Sequence, residues 1–78
     1  MRVEINEYIV ADSEVCEGKP VFKGTRIMIW QVLELLAGGV TVDEIIKDYF
    51  PQISRKAVLS VLSHASKLVE DEKYVLFR

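Results

Sequence analysis

Apolar residues recur along the middle of the chain at Ile29, Val32, Leu33 and Leu36, the i, i+3, i+4, i+7 spacing of one helical face. Gly38-Gly39 ends that first helix, because glycine takes the left-handed conformation at little cost. Thr41-Val42-Asp43-Glu44 reads as a capping box opening a short second helix. Its inner face is Val42, Ile45, Ile46 and Tyr49, and Pro51 forces an exit at Phe50. Ser54 caps a third helix, whose inner face is Val58, Val61, Leu62, Ala65, Leu68 and Val69, the strongest periodicity in the chain. Trp30, Leu35 and Ala37 widen the stripe of the first helix beyond one face, and Trp30 is either a core residue or an interface anchor.

The N-terminal part follows another pattern. Residues 3 to 10 alternate weakly and are rich in β-branched and aromatic side chains, which suits a strand. Residues 11 to 26 are expected to form a loop, and Arg26-Ile27-Met28 a short second strand pairing with the first. A two-stranded ribbon alone is marginal, so it must lean on the helices. After the third helix, Glu70-Asp71-Glu72-Lys73 reads as a solvated break. Tyr74-Val75-Leu76-Phe77 is an apolar tail expected to add a strand to the ribbon or to cross to a second subunit.

These elements predict a mainly α fold in one domain, residues 1–78. It divides into a β element and basic loop (1–28), a three-helix helix-turn-helix core of homeodomain-like or winged-helix-like kind (29–69), and an acidic break with an apolar tail (70–78). A chain of 78 residues lies near the size, about 70 to 80 residues, below which one core is marginal, so association, most simply a homodimer, is expected. No run of about 18 apolar residues suits a membrane span, and acids interrupt the N-terminus where a signal peptide would be apolar. The single cysteine, Cys16, cannot form an internal disulfide, and a cytoplasmic protein is expected.

Ten Lys and Arg against twelve Asp and Glu leave a net charge of −2, which supplies no general attraction to nucleic acid. Local clusters count for more. Arg55 and Lys56 open the third helix, where cations oppose the helix dipole by up to about 1 kcal/mol and so invite an explanation. In a helix-turn-helix these positions, with Ser54 and Ser60, would face double-stranded DNA. The other reading is a solvated charge pair, and the turn of about five residues is longer than the usual three or four. Ser63, His64 and Lys67 are placed on the outer face of the same helix, with Ser60.

The segment Gly18-Lys19-Pro20-Val21-Phe22-Lys23-Gly24-Thr25-Arg26-Ile27 combines two glycines, a proline and three cations just before the first helix. Gly and Pro restrict it to one shape, and its cations are either solvated or a contact surface for carboxylates or phosphates. Its spacing does not fit a nucleotide-binding P-loop. These ten residues resemble the G-K-P-x-x-x-G-T-R-I signature of the prokaryotic domain-of-unknown-function family number 433, and the likeness continues through Leu36-Ala37-Gly38-Gly39, Thr41 to Ile45, Tyr49-Phe50-Pro51 and Ala57. The resemblance implies an antitoxin-like protein with a helix-turn-helix, paired with a PIN-like nuclease toxin rich in acids. Lys19, Lys23, Arg26 and Trp30 would then meet that partner. Two departures stand out: Glu17-Gly18 where Gly-Gly is expected, and Arg55-Lys56 where acids are more usual.

Catalysis is not expected. Cys16 and His64 lie far apart in sequence with no third orienting group, and one histidine lacks the companions of a metal site. No cofactor is expected.

Overall fold

Strand formation begins where the chain alternates. β1 (Arg2–Glu4) and β2 (Ile9–Asp12) pair antiparallel with Val3 opposite Ala11. The Asn6 carboxamide oxygen accepts from the backbone N–H of Tyr8 at 2.7 Å and of Ile9 at 3.0 Å, an Asx turn that aims the chain into β2. The structure, a computed structural model, describes residues 1–71. The expected C-terminal strand at Tyr74–Phe77 lies outside the described residues.

The segment read as loop contains a third strand. β3 (Val21–Phe22) pairs antiparallel with β2, Ile9 opposite Phe22 and Val10 opposite Val21, giving the order β1-β2-β3. The Phe22 carbonyl accepts from Thr25 N–H at 3.0 Å across a turn in which Gly24 has φ +76°. Only the third of its four residues is left-handed, the pattern of a type II turn. Thr25 closes this turn from both sides: its hydroxyl donates to the Phe22 carbonyl at 2.9 Å and accepts from Ile27 N–H at 3.0 Å. The expected strand at residues 26–28 is reduced to a single bridge between Met28 and Val21.

Except at the end of α3, the helices start and stop on the signals read from the chain. α1 (Ile29–Ala37) ends in a Schellman motif. Val40 N–H donates to Leu35 O, Gly39 N–H donates to Leu36 O, and Gly39 takes φ +95°. α2 (Val42–Glu44) opens on the capping box, with Thr41 Oγ1 accepting from Glu44 N–H at 3.1 Å and Glu44 Oε1 accepting from Thr41 N–H at 2.9 Å. It continues as a π-helical turn (Ile45–Tyr49) that Pro51 terminates. α3 (Arg55–Asp71) is capped by Ser54 Oγ, which accepts from Ala57 N–H at 3.1 Å. It runs through Glu70-Asp71, which were expected to break it.

The core corrects the expected architecture. Ile9 and Phe22 from the sheet share one buried cluster with Val32 of α1, Ile45 of the π-turn and Val58 and Val61 of α3. The helices therefore do not close a core of their own, and a mainly α fold with a helix-turn-helix core is not established. The molecule is a three-stranded antiparallel sheet with helices packed against it. The sequence pattern misled because β3 is two residues long and framed by Pro20 and Gly24, too short to show a period.

Candidate functional site

α3 has 17 residues and α1 has nine, so at 1.5 Å per residue α3 runs roughly 12 Å beyond what α1 can cover. Val58 and Val61 are buried, yet Leu62, Leu68 and Val69, expected on the inner face, are exposed. The stripe is apolar for its whole length, but the fold offers it a partner only in its first half.

Where α3 diverges from α1, an open groove of about 520 Å³ forms. Its floor includes Ile9, Ile29 and Val61; Trp30 and Leu33 of α1 line one wall, and His64, Ala65 and Leu68 of α3 the other. Lys19 and Pro20 also line it. Trp30 is 50 % exposed and Leu68 52 %, which for large apolar side chains facing one cavity marks an interaction surface more than a core. The indole is not loose, because Nε1–H donates to Met28 Sδ at 3.2 Å. His64, placed by its spacing on the outer face, is half-buried in the groove wall instead.

The backbone before Lys19 is unusual. Cys16, Glu17 and Gly18 are all left-handed, with φ +49°, +58° and +84°, and they form a short 3₁₀ turn whose Lys19 N–H donates to Cys16 O at 3.1 Å. Left-handed geometry at a non-glycine residue costs about 1 to 2 kcal/mol, so the turn holds Lys19 at the groove against a local preference. Pro20 O accepts from Ile29 N–H at 2.9 Å, tying this turn to the start of α1.

The other cations of the loop go elsewhere. Lys23 Nζ lies 2.9 Å from Glu4 Oε1 on β1. That hydrogen bond, with a second from Arg2, holds the Glu4 carboxyl below the usual range. Arg26 is exposed and borders a different hollow, shared with Arg2 and Asp12. Of the four residues expected to meet a partner, the structure brings Lys19 and Trp30 together and separates Lys23 and Arg26 from them.

The residues expected to meet DNA are mostly engaged within the chain. Arg55 pairs with Asp43 of α2, which offsets its unfavourable place in the first turn of α3. The Ser54 oxygen serves as cap, and the half-buried Ser60 hydroxyl donates to Ala57 O at 2.7 Å. Lys56 is exposed. Among the described residues, no three His, Cys, Asp or Glu side chains group closely enough to hold a metal ion, and no helix is long and apolar enough to cross a membrane.

The model of the family described as Protein of unknown function (DUF433) matches residues 9–65, from the first residue of β2 into the groove wall on α3. The chain belongs to DUF433. No curated protein and no solved structure matches it. Within the DUF433 segment, much of the G-K-P-x-x-x-G-T-R-I signature has a structural cause. Gly18 and Gly24 are left-handed, Pro20 O is bonded to the start of α1, Thr25 clamps the turn, and Ile27 is buried. Among the signature side chains, those of Lys19, Pro20 and Arg26 are exposed, and of these Lys19 and Arg26 carry charge. Sequence reasoning missed Leu33, His64 and Leu68 as groove residues; the unequal lengths of the first and third helical stripes were the available signal.

Proposed function

We propose that this DUF433 protein is a non-catalytic, cytoplasmic interaction module that docks an apolar segment of a partner protein in the groove between α1 and α3. The observation that carries the reading is that the half-exposed Trp30 and Leu68 line one apolar groove, with Lys19 as the cation on its lining. Tryptophan in a pocket that a partner can seal is the commonest kind of binding hot spot. The resemblance to antitoxin-like proteins suggests a PIN-like nuclease toxin as that partner, whose carboxylates Lys19 could meet at the rim. Operator DNA is not part of the proposal, since Arg55, Ser54 and Ser60 already have partners within the chain.

The test is titration of a PIN-like nuclease into the purified chain. Trp30→Ala should weaken binding by about 2 kcal/mol or more, roughly 30-fold. Lys23→Ala, which removes a cation already paired with Glu4, should leave it within about twofold, because exposed ion pairs contribute little. Equal binding by the wild type and Trp30→Ala would refute the groove as the docking site.

A second reading has its own observation. Leu59, Leu62 and Val69 are exposed at 45 %, 41 % and 58 % and recur at i, i+3 and i+10 along one face of α3. Two copies could bury this stripe as a homodimer. Leu62→Lys should then shift the mass measured by light scattering from dimer to monomer.

A further inference from the structure

We infer that β1 is a docking edge for a second copy of this chain: two β1 strands pair antiparallel about a two-fold axis at Val3 and join two three-stranded sheets into one continuous sheet. The groove between α1 and α3 is not part of this edge, so the partner titration stands or falls separately.

The backbone gives the first argument. Met1 O accepts from Ser13 N–H at 2.8 Å, and Ile5 N–H donates to Ile9 O at 2.9 Å. These pairs bracket Val3 opposite Ala11, and bonding alternates along an antiparallel strand, so Met1, Val3 and Ile5 bond to β2. The N–H and C=O groups of Arg2 and Glu4 therefore point the other way. Among the described residues, no strand pairs with that side of β1. The far edge of the sheet is already occupied, since Phe22 N–H donates to Ile27 O at 3.0 Å and Val21 bridges Met28.

The side chains choose the occupant. Two-fold pairing about Val3 sets Arg2 of each copy directly opposite Glu4 of the other, and these are the pairs whose outward backbone groups exchange hydrogen bonds. Charges at a sheet edge usually discourage pairing. Here the order Arg2-Val3-Glu4 is complementary to its own reverse, whereas a parallel copy in register would set Arg2 against Arg2. Both charged side chains are exposed and already meet within the chain at 3.3 Å, so exchanging them between copies fixes register more than it adds affinity. On the other face Val3 shares the side of the sheet that carries Ala11, Ile9 and Phe22. Yet Val3 is 52 % exposed and Met1 88 %. In the paired edge Val3 meets Val3 of the second copy and Met1 meets Ile5, which continues the apolar side of one sheet into the other. So short an edge is a small interface, and the dimer it makes is weak.

Sedimentation velocity of the full chain, from about 10 μM to about 1 mM, should show a monomer-dimer equilibrium, the range in which weak interfaces dissociate. Arg2→Glu and Glu4→Arg each set like charges at both crossings, and each should raise the dissociation constant about tenfold. Mixed in equal amounts, the two variants regain opposite charges at both crossings, so their heterodimer should be at least as tight as the unsubstituted dimer. Glu4→Pro removes an outward N–H that β2 does not use and should also weaken the dimer about tenfold, with the circular dichroism of the fold kept. A monomer throughout the range overturns the inference. A dimer that none of these substitutions weakens overturns it too, and loss of that dimer in Leu62→Lys would place the contact on α3. Weakening in both charge variants without recovery in their mixture overturns the antiparallel pairing. The three variants are read separately, so if one fails to fold the others decide.

Discussion

Glu17→Gly should stabilise the protein, although it deletes a side chain and adds a flexible residue. Glu17 sits at φ 58°, ψ 32° between two other left-handed residues. Relief of that geometry is worth about 1 to 2 kcal/mol, since the crowding of Cβ against the carbonyl disappears. Against it stands the greater freedom of glycine in the unfolded chain, about 0.5 to 1 kcal/mol. Glu17 is exposed, so its removal subtracts little else. The balance is a gain of about 0.5 to 1 kcal/mol, which in a domain of this size raises Tm by about 2 to 8 °C. Urea unfolding followed by far-ultraviolet circular dichroism measures it, with Gly18→Ala as the opposite control, expected to destabilise at φ +84°. A loss of stability in Glu17→Gly would refute the left-handed turn before Lys19. The departure of this chain from the Gly-Gly expected at this point would then have no backbone explanation.

Phe22→Ala should cost about 3 to 5 kcal/mol, much of the roughly 4 to 12 kcal/mol a chain of this length commands, and should unfold helices and sheet in one transition. A separate, surviving helical transition by circular dichroism would contradict the shared core. Glu44 has its carboxyl lowered by its bonds to the backbone and side chain of Thr41, so the capping contribution is full above the unfolded carboxylate value and fades as pH falls through the lower folded one. Glu44→Gln should therefore lower neutral-pH stability slightly and flatten the acid limb of a stability–pH profile, the two proteins converging at low pH, and an unchanged acid limb would argue against the box. Thr41→Ala should lower stability by about 1 kcal/mol in the same urea assay. Arg55→Ala should change stability by less than about 1 kcal/mol, as an exposed pair with Asp43 permits, and a larger loss would mark a role the geometry does not show.

What the sequence revealed and what it concealed divide along physical lines. Helix boundaries were legible because they depend on local chemistry: Gly38-Gly39, the Thr41 to Glu44 box, Pro51 and Ser54 each act within a few residues of themselves. The central sheet was half hidden, since Val21 and Phe22 become a strand only by pairing with Val10 and Ile9, a contact no local pattern announces. The helix-turn-helix core failed for the same reason, although its three helices are present, as periodicity shows which face of a helix is apolar but not what covers it. Leu62, Leu68 and Val69 fit the inner stripe perfectly well by spacing and are exposed because α1 ends too soon. Trp30 and the loop cations drew notice as residue types, yet only the fold shows that Lys19 stands with Trp30 while Lys23 is bound to Glu4 and Arg26 faces another side.

The unequal helices also set where the molecule should soften first. Amide protection against deuterium exchange should grade along α3, slow around Val58 and Val61, whose side chains are sealed in the core, and fast toward Glu70, where backbone bonds lack tertiary support. Whatever clasps that far end will tighten its winding as well as shield its leucines. Part of the gross attraction is then consumed in ordering, so measured affinity will understate how closely the two surfaces fit.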